Sequence, residues 1–360
     1  MRFDRALDEE TLTELGKALR FFYRDVALHS DGDSFSVTTA NGLPDDDIRR
    51  VVTHFLRGHR PVPSKVVAEN TTSGDRAGEL SDDDRVKVAD GVYLQGPEWG
   101  RITRETEDLV VSFFAEEYGA PHLAVPALIP RDVLLTAGYY QKFPNLVNAV
   151  SRIRGNYWDS VTVAGLDGTQ TSALATFYEP SDVVLNPVTC YHVYSRAQEL
   201  LARYDTGLFT VLGPVFRHES HNHGPTRLAE FSMFELVTMG AAEQTTAYRD
   251  RFLASFERLF GEIGLPYRIV TAADAFYGDE PMFKRDAQVR GAGKYEVRIP
   301  LPEGELSVGS INLHGSVFTT AFGLDEAGSG IESTCCAGIG IDRLVHAMRL
   351  HGVLRTGGRS

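Results

Sequence analysis

Beyond residue 160 the chain keeps returning to short apolar runs that suit strands, without the regular strand–helix alternation of a parallel sheet. The runs fall at 161–165, 183–189, 209–216, 229–238, 295–301, 306–313 and 333–341. Helical spacing appears near 104–118, 142–154, 192–204, 243–263 and 342–351. Many strands joined by long, unequal connections predict an α+β fold, a mainly antiparallel sheet flanked by helices. No internal repeat is visible.

Ahead of that body, residues 8–28 carry Leu12, Leu15, Leu19 and Phe22 at helical spacing behind Asp8, a capping residue. A strand over Phe35 to Thr39, an Asn41-Gly42 turn and a second helix through Ile48, Val51 and Phe55 follow. Asn70 to Arg85 is rich in Thr, Ser, Gly and Asp and reads as a linker or exposed loop. We expect residues 1–85 to form a small α/β appendage and residues 86–360 one larger domain. The larger unit opens with a helix and the apolar run His122 to Pro130, punctuated by Pro121, Pro126 and Pro130.

Composition narrows the classes. Hydrophobic residues make up 42% and charged residues 24%, as in an ordinary globular protein. No run of 18 apolar residues predicts a membrane span, and the acidic start MRFDRALDEETL lacks the apolar stretch of a secretion signal. Three cysteines, two of them adjacent, make no disulfide framework; a cytoplasmic setting is expected and metal binding stays open. The net charge of −13, with no basic cluster, argues against a grip on a long stretch of nucleic-acid backbone.

Chemistry concentrates in three places. Val211 to Gly240 reads as a hairpin around a polar loop holding His221, Asn222 and His223. Arg217 and Glu219, two apart on a strand, share a face, and Arg227 opens the return strand. An arginine fits a phosphate bidentately and a carboxylate accepts from an exocyclic amine, so the pair suits the two ends of a nucleotide. A surface salt bridge is the plainer alternative. On the return strand Phe231, Met233, Glu235 and Val237 share one face, which sets Glu235 among apolar neighbours and asks for a nearby cation.

The second place is Ser333 to His351. Gly338 and Gly340 end a strand and allow close backbone approach, and Arg343 then falls in the first turn of a helix, against the macrodipole. A cation held there suggests an anionic ligand, although a plain strand-to-helix turn also accounts for the glycines. The third is the cysteine set. Only one of Cys335 and Cys336 can point into a given site. Two thiolates, from Cys190 and one of that pair, with Glu235 would make a three-ligand zinc site with an open fourth position. Small buried hydrophobes are the other reading of the cysteines.

Phe216-Arg217-His218-Glu219, the loop, and Arg227 through Glu230-Phe231 resemble motif 2 of class II aminoacyl-tRNA synthetases. Gly338-Ile339-Gly340-Ile341-Asp342-Arg343 resembles their motif 3, and Pro121 to Pro130 is similar to motif 1. The segments around Cys190 (Pro187 to Tyr194) and Cys336 (to Arg343) are similar to the cysteine motifs of the zinc-dependent, atypical seryl-tRNA synthetase branch. Glu235 falls where its glutamate ligand would be. Gly138-Tyr139 with Phe143-Pro144, Ala275 to Gly278, and Ser310 to His314 resemble the amino acid:carrier protein ligases of that branch. The resemblance covers roughly residues 90–351; residues 1–85 have no assigned counterpart, and the second cysteine is doubled.

The resemblance implies ATP-dependent activation of a small amino acid, glycine or alanine, and transfer to the phosphopantetheine of a carrier protein by a homodimer, without tRNA. It implies that Cys190, Glu235 and Cys336 hold Zn²⁺, which seats the substrate amine. It implies that Arg217 holds the α-phosphate, Glu219 reads adenine, and Arg227 and Arg343 hold the outer phosphates. Phe231 and Gly340 complete the nucleotide site, and Glu305 helps bind Mg²⁺. A seryl-tRNA synthetase, or a synthetase-like binding protein without catalysis, are the competing readings.

Overall fold

In the computed structural model the described residues are 1–23, 26–39, 45–58, 64–72, 84–167, 169–219, 224, 226–272, 293–302, 304–326 and 329–353. The Asn41-Gly42 turn, the loop residues 221–223 and the segment 275–278 lie outside them. Among the described residues no helix is long and apolar enough to cross a membrane.

The first helix is shorter than its periodicity predicts. Asp8 caps α1 (Glu9–Phe22) by accepting from Thr11 N, but the chain turns extended at Tyr23 and enters β2 (Val26–Ser30) rather than staying helical to 28. With β1 (Arg2–Phe3), β3 (Phe35–Thr39) and α2 (Asp45–Gly58) it builds a three-stranded sheet in the order β1-β3-β2. Its core of Leu15, Leu19, Phe35, Val37, Ile48 and Val52 is separate from the others.

That separate unit does not extend to residue 85. Strand β4 (Val66–Asn70) pairs antiparallel with β13 (Tyr267–Thr271) as an edge of the large sheet. Lys65 N donates to Thr271 Oγ1 at 2.9 Å, and Thr271 N donates back to Lys65 O at 2.9 Å. The apolar alternation of 66–70 is too short to reveal its partner, which lies some two hundred residues away. At the far end of the polar stretch, Asp84 accepts from Glu98 N and Trp99 N at the start of α3 (Pro97–Tyr118). Between them run the two short strands β5 (Val86–Ala89) and β6 (Val92–Leu94).

The apolar run 122–130 splits at Pro126 into β7 (His122–Ala124) and β8 (Leu128–Pro130), which join different sheets. Two short helices, α4 (Arg131–Thr136) and α5 (Tyr139–Lys142), precede two corrections. The helix expected over 142–154 is a single 3₁₀ turn at Pro144–Leu146 followed by β9 (Ala149–Ile153). The strand expected over 161–165 lies inside α6 (Tyr157–Ala164), because the Asn156 side chain accepts from Asp159 N and caps a helix there. Local capping outweighs the β-branched run Val161-Thr162-Val163. Helix α7 (Thr171–Ala175) leads to β10 (Tyr178–Leu185), which lies between β8 and β9 in a three-stranded sheet. The helix expected over 192–204 breaks into α8 (Cys190–Tyr194) and α9 (Ala197–Tyr204).

From here the expected strands and long helices appear, but β13 and the short helix Val317–Ala321 were not expected. Arg217, Glu219 and Arg227 lie in the connection between Phe216 and Glu230, not on strands. Strands β11 (Leu208–Phe216), β12 (Glu230–Gly240), β14 (Lys294–Leu301), β15 (Gly304–Gly315) and β16 (Ser333–Gly340) form the large sheet with β4, β7 and β13. Its order is β4-β13-β14-β15-β16-β12-β11-β7, antiparallel except for the β11–β7 pair. Helices α10 (Ala242–Ile263) and α12 (Ile341–Leu350) join α3 on one face, and α11 (Val317–Ala321) sits on the other with α8. Phe252, Phe256 and Phe260 of α10 and Phe114 of α3 are buried against Phe234, Ala337 and Ile339. Each buried phenylalanine contributes about 1.5–3 kcal/mol relative to exposure. This packed face leaves the opposite one for the site.

Candidate functional site

Period-two alternation decides what reaches the open face. On β12 Phe234 and Leu236 point into the helical core, so Glu235 points away from it. On β16 Cys335, Ala337 and Ile339 belong to that core, so Cys336 faces the site and the adjacent Cys335 does not. Cys190 arrives from the opposite side, at the start of α8. Asn186, fully buried, holds the turn that delivers it. Its Nδ2 donates to Pro214 O at 3.0 Å, and its Oδ1 accepts from Val188 N at 3.2 Å.

The ligand atoms of Cys190, Glu235 and Cys336 all lie within 4.8 Å of one another, and all three residues are buried. Glycine makes the room: a Cβ on Gly338, directly across from Glu235, would stand 3.2 Å from Glu235 Cγ. Glu235 Oε2 is buried without a hydrogen-bond partner among the described residues. Burial and then the Cys336 charge push the Glu235 carboxyl up to about 8. Burial likewise pushes the Cys190 thiol well above its ordinary value. Cys336 goes the other way, held low by a hydrogen bond from Cys190 and by His314, against burial. Two sulfurs and a carboxylate in a buried pocket, with an orphaned carboxylate oxygen, fit a zinc ion with an open position.

The arginines gather beside this pocket. Arg217, just past the end of β11, donates from Nε to Pro187 O at 3.0 Å, so one turn anchors both Cys190 and Arg217. Its guanidinium lies 5.4 Å from the Phe231 ring centroid. Arg343, in the first turn of α12, donates from Nε to Thr226 O at 2.9 Å and from Nη1 to Ser307 O at 3.1 Å. Burial and then the charges of Arg227 and Arg217, partly offset by Glu219, bring Arg343 down to about 10. Three guanidiniums, one of them paired to Glu219, thus lie within electrostatic reach of one another, a charge arrangement that suits an anionic ligand.

Two sequence-predicted residues are engaged differently from their expected roles. Glu219, expected to face adenine, accepts from Arg227 Nη1 at 2.5 Å. Glu305 is ion-paired to Arg268 at 2.8 Å and to Arg298 at 3.5 Å. It still stands two residues before Ser307, whose carbonyl holds Arg343. Gly340, the N-cap of α12, lies across from Met233.

Sequence reasoning missed a buried anchor under the nucleotide side. Where β16 turns into α12, Ser232, still paired with Pro214 of β11, has no partner on the β16 side, and Asp342 Oδ2 accepts from Ser232 N at 2.8 Å. Ser232 Oγ donates to Glu107 of α3 at 2.6 Å. Helix α3, strand β12 and the first turn of α12 thereby meet at one serine. It also missed the wall of the metal pocket, where the Phe318 ring lies 5.1 Å from Tyr191, 5.3 Å from Tyr194 and 4.7 Å from His314. Tyr194 and His314 both fall in segments quoted for the resemblance, Pro187 to Tyr194 and Ser310 to His314, which assigned neither of them a role.

No family model matches the chain. Its curated relatives are informative. The amino acid–(acyl-carrier-protein) ligase 1 of Bradyrhizobium diazoefficiens is 31% identical over 271 residues, covering 73% of this chain and 81% of the relative. The chain belongs to the amino acid–(acyl-carrier-protein) ligase family. Ligase 2 of the same organism is 31% identical over 237 residues, 63% of this chain and 69% of that one. The type-2 serine–tRNA ligase of Methanopyrus kandleri, 24% identical over 283 residues, matches 73% of this chain but 54% of its own length.

Solved structures show the same core in this ligase-family chain. The M. kandleri seryl-tRNA synthetase, solved with A. aeolicus tRNASec, has a TM-score of 0.67 at 22% identity, covering 98% of this chain and 74% of that one. Giardia lamblia prolyl-tRNA synthetase in complex with prolyl-adenylate has a TM-score of 0.55 at 18% identity, covering 75% and 50%. The architecture is a class II synthetase catalytic core, an α+β fold.

Proposed function

We propose that this ligase-family protein activates a small amino acid, glycine or alanine, with ATP and passes it to the phosphopantetheine thiol of a carrier protein. One observation carries the reading: the turn at 186–190 delivers Cys190 to the Cys190–Glu235–Cys336 cluster and accepts a hydrogen bond from Arg217, whose charge, with that of Arg227, bears on Arg343.

In the first half-reaction a carboxylate oxygen of the amino acid attacks the α-phosphorus and pyrophosphate leaves. Arg217 faces the charge that builds on the α-phosphate, and Arg343 and Arg227 hold the β- and γ-phosphates. Phe231 offers a ring face to the adenine and Gly340 allows its close approach. Glu219 exchanges Arg227 for the adenine amine when the outer phosphates draw that arginine away. Glu305, released from its arginines in the same way, would hold Mg²⁺ on the triphosphate. Zinc held by Cys190, Glu235 and Cys336 would supply a Lewis-acid seat for the substrate's α-amino group. The aromatic wall of Tyr191, Tyr194 and Phe318 favours a short side chain. In the second half-reaction the carrier thiol attacks the acyl carbon and AMP leaves. The resemblance to motif 1 supports a homodimer, and the acidic, three-cysteine chain suits the cytoplasm.

The test is amino-acid-dependent ATP–pyrophosphate exchange across all twenty amino acids, with zinc measured on the same sample. It is followed by acceptor assays with a phosphopantetheinylated carrier protein and with tRNA. Exchange with glycine or alanine and thioester formation support the reading. Charging of tRNA with serine would replace it by the seryl-tRNA synthetase alternative, and zinc-loaded protein without exchange would point to a binding role.

A further inference from the structure

The sequence motif Ser310 to His314 lies on β15, the strand beside β16; alternation brings Ser310 and Asn312 to the face that carries Cys336, and His314, at a register shift between Leu313 and Gly315, reaches the same face. Asn312 stands directly across from Cys336 in the strand register. Its Nδ2 lies 3.7 Å from Cys336 Sγ and 3.2 Å from Ser310 Oγ. His314 Nε2 lies 3.7 Å from the same sulfur, and its Nδ1 lies 3.1 Å from Thr334 Oγ1. His314 is not a member of the three-ligand cluster. Its ring packs edge-on to Phe318 and Tyr194, which sets its plane. Cys190 Sγ instead meets Cys336 and Glu235. The two sulfurs are built differently.

We propose that Asn312 and His314 are positioning residues of the metal pocket. Both donate N–H hydrogen bonds to the Cys336 thiolate from outside the coordination sphere, and Thr334 donates to His314 Nδ1 and so keeps the hydrogen on Nε2. This rests on the zinc reading above. Hydrogen bonds to a metal-bound thiolate orient its lone pairs and moderate its donation to the metal. Taking up two sites on Cys336 leaves that sulfur one direction in which to bind, towards Cys190 and Glu235. A zinc ion held by the three ligands would keep a position for the substrate amine.

The test is Co²⁺ titration of chelator-treated full-length protein, reading the thiolate-to-cobalt charge-transfer and d–d bands, with Zn²⁺ affinity by competition. His314→Ala and Asn312→Ala should each weaken affinity by roughly 10–100-fold and shift the charge-transfer bands, with one metal still bound per chain. His314→Gln, whose amide donates from near the Nε2 position, should restore much of the affinity. Thr334→Val, which keeps the histidine, should weaken binding less than His314→Ala; it is also the variant to read should His314→Ala not fold. Wild-type affinity and bands in both alanine variants would overturn the proposal. So would a change of d–d intensity in His314→Gln to that of a lower coordination number, since His314 would then be a ligand itself. Wild-type protein that binds no Co²⁺ or Zn²⁺ would instead refute the zinc reading.

Discussion

Replacing Gly338 by Ala adds one methyl group to the floor of the pocket that holds Glu235. A Cβ there stands 3.2 Å from Glu235 Cγ and 3.3 Å from its Oε1, with Phe234 O at 3.6 Å. Ordinary van der Waals contact runs from 3.4 to 4 Å, so Glu235 must retreat by a few tenths of an ångström while the backbone stays put. Metal–ligand distances tolerate only about ±0.2 Å, so this small retreat is large for the metal. Because a side chain gives way and not the backbone, the fold should lose no more than the low end of the roughly 1–3 kcal/mol that overpacking costs. Zinc affinity should fall by about tenfold or more, on the scale of other disturbed metal shells. Competition against a chromophoric chelator measures the affinity, and thermal melts of metal-free and loaded protein measure the fold. Gly309→Ala provides the contrast, since its Cβ would meet the backbone oxygen of Gly338 at 2.7 Å and must cost stability. Wild-type zinc affinity in Gly338→Ala would refute the argument that Glu235 is a close-packed ligand.

Cys336→Ala should abolish stoichiometric zinc, whereas Cys335→Ala should keep it and lose only core packing; equal zinc content in the two would undo the facing argument. Arg343→Ala should lower the pyrophosphate-exchange rate by about 10²–10³-fold, as for loss of a group facing developing charge, with zinc content as the unchanged control. Asp342 titrates near 6 because burial raises it above 3.8. A raised carboxyl stabilises the fold fully below the unfolded value and loses that contribution as pH rises through 6, a loss of roughly 3 kcal/mol. Asp342→Asn still accepts from Ser232 and carries no charge, so urea midpoints at pH 4 and pH 8 should differ less than in wild type. An identical difference would show that another group sets the slope.

Alternation and helical spacing alone revealed most of the antiparallel body, because the patterns of β11, β12, β14, β15 and β16 report which face is packed; β13 went unread. That same pattern singled out Glu235 as a carboxylate on an apolar face and Arg343 as a cation against a helix dipole. Both are local anomalies, legible wherever a residue contradicts its own element. Three things were not local. The choice between Cys335 and Cys336 needed the register of β16 against β12. The place of residues 66–70 needed β13, far along the chain. The donors on Cys336 and the anchor Glu107–Ser232–Asp342 depend on side chains that meet only once β15, β16, α3 and α12 are packed. Capping by Asn156 and the break at Pro144 overrode the periodicity of 142–165, since a single side-chain hydrogen bond or a missing N–H outweighs a weak propensity. The sequence by itself determined which residues are out of place in their elements; the tertiary structure decided which of them meet, because only packed sheets bring distant strands to within a hydrogen bond.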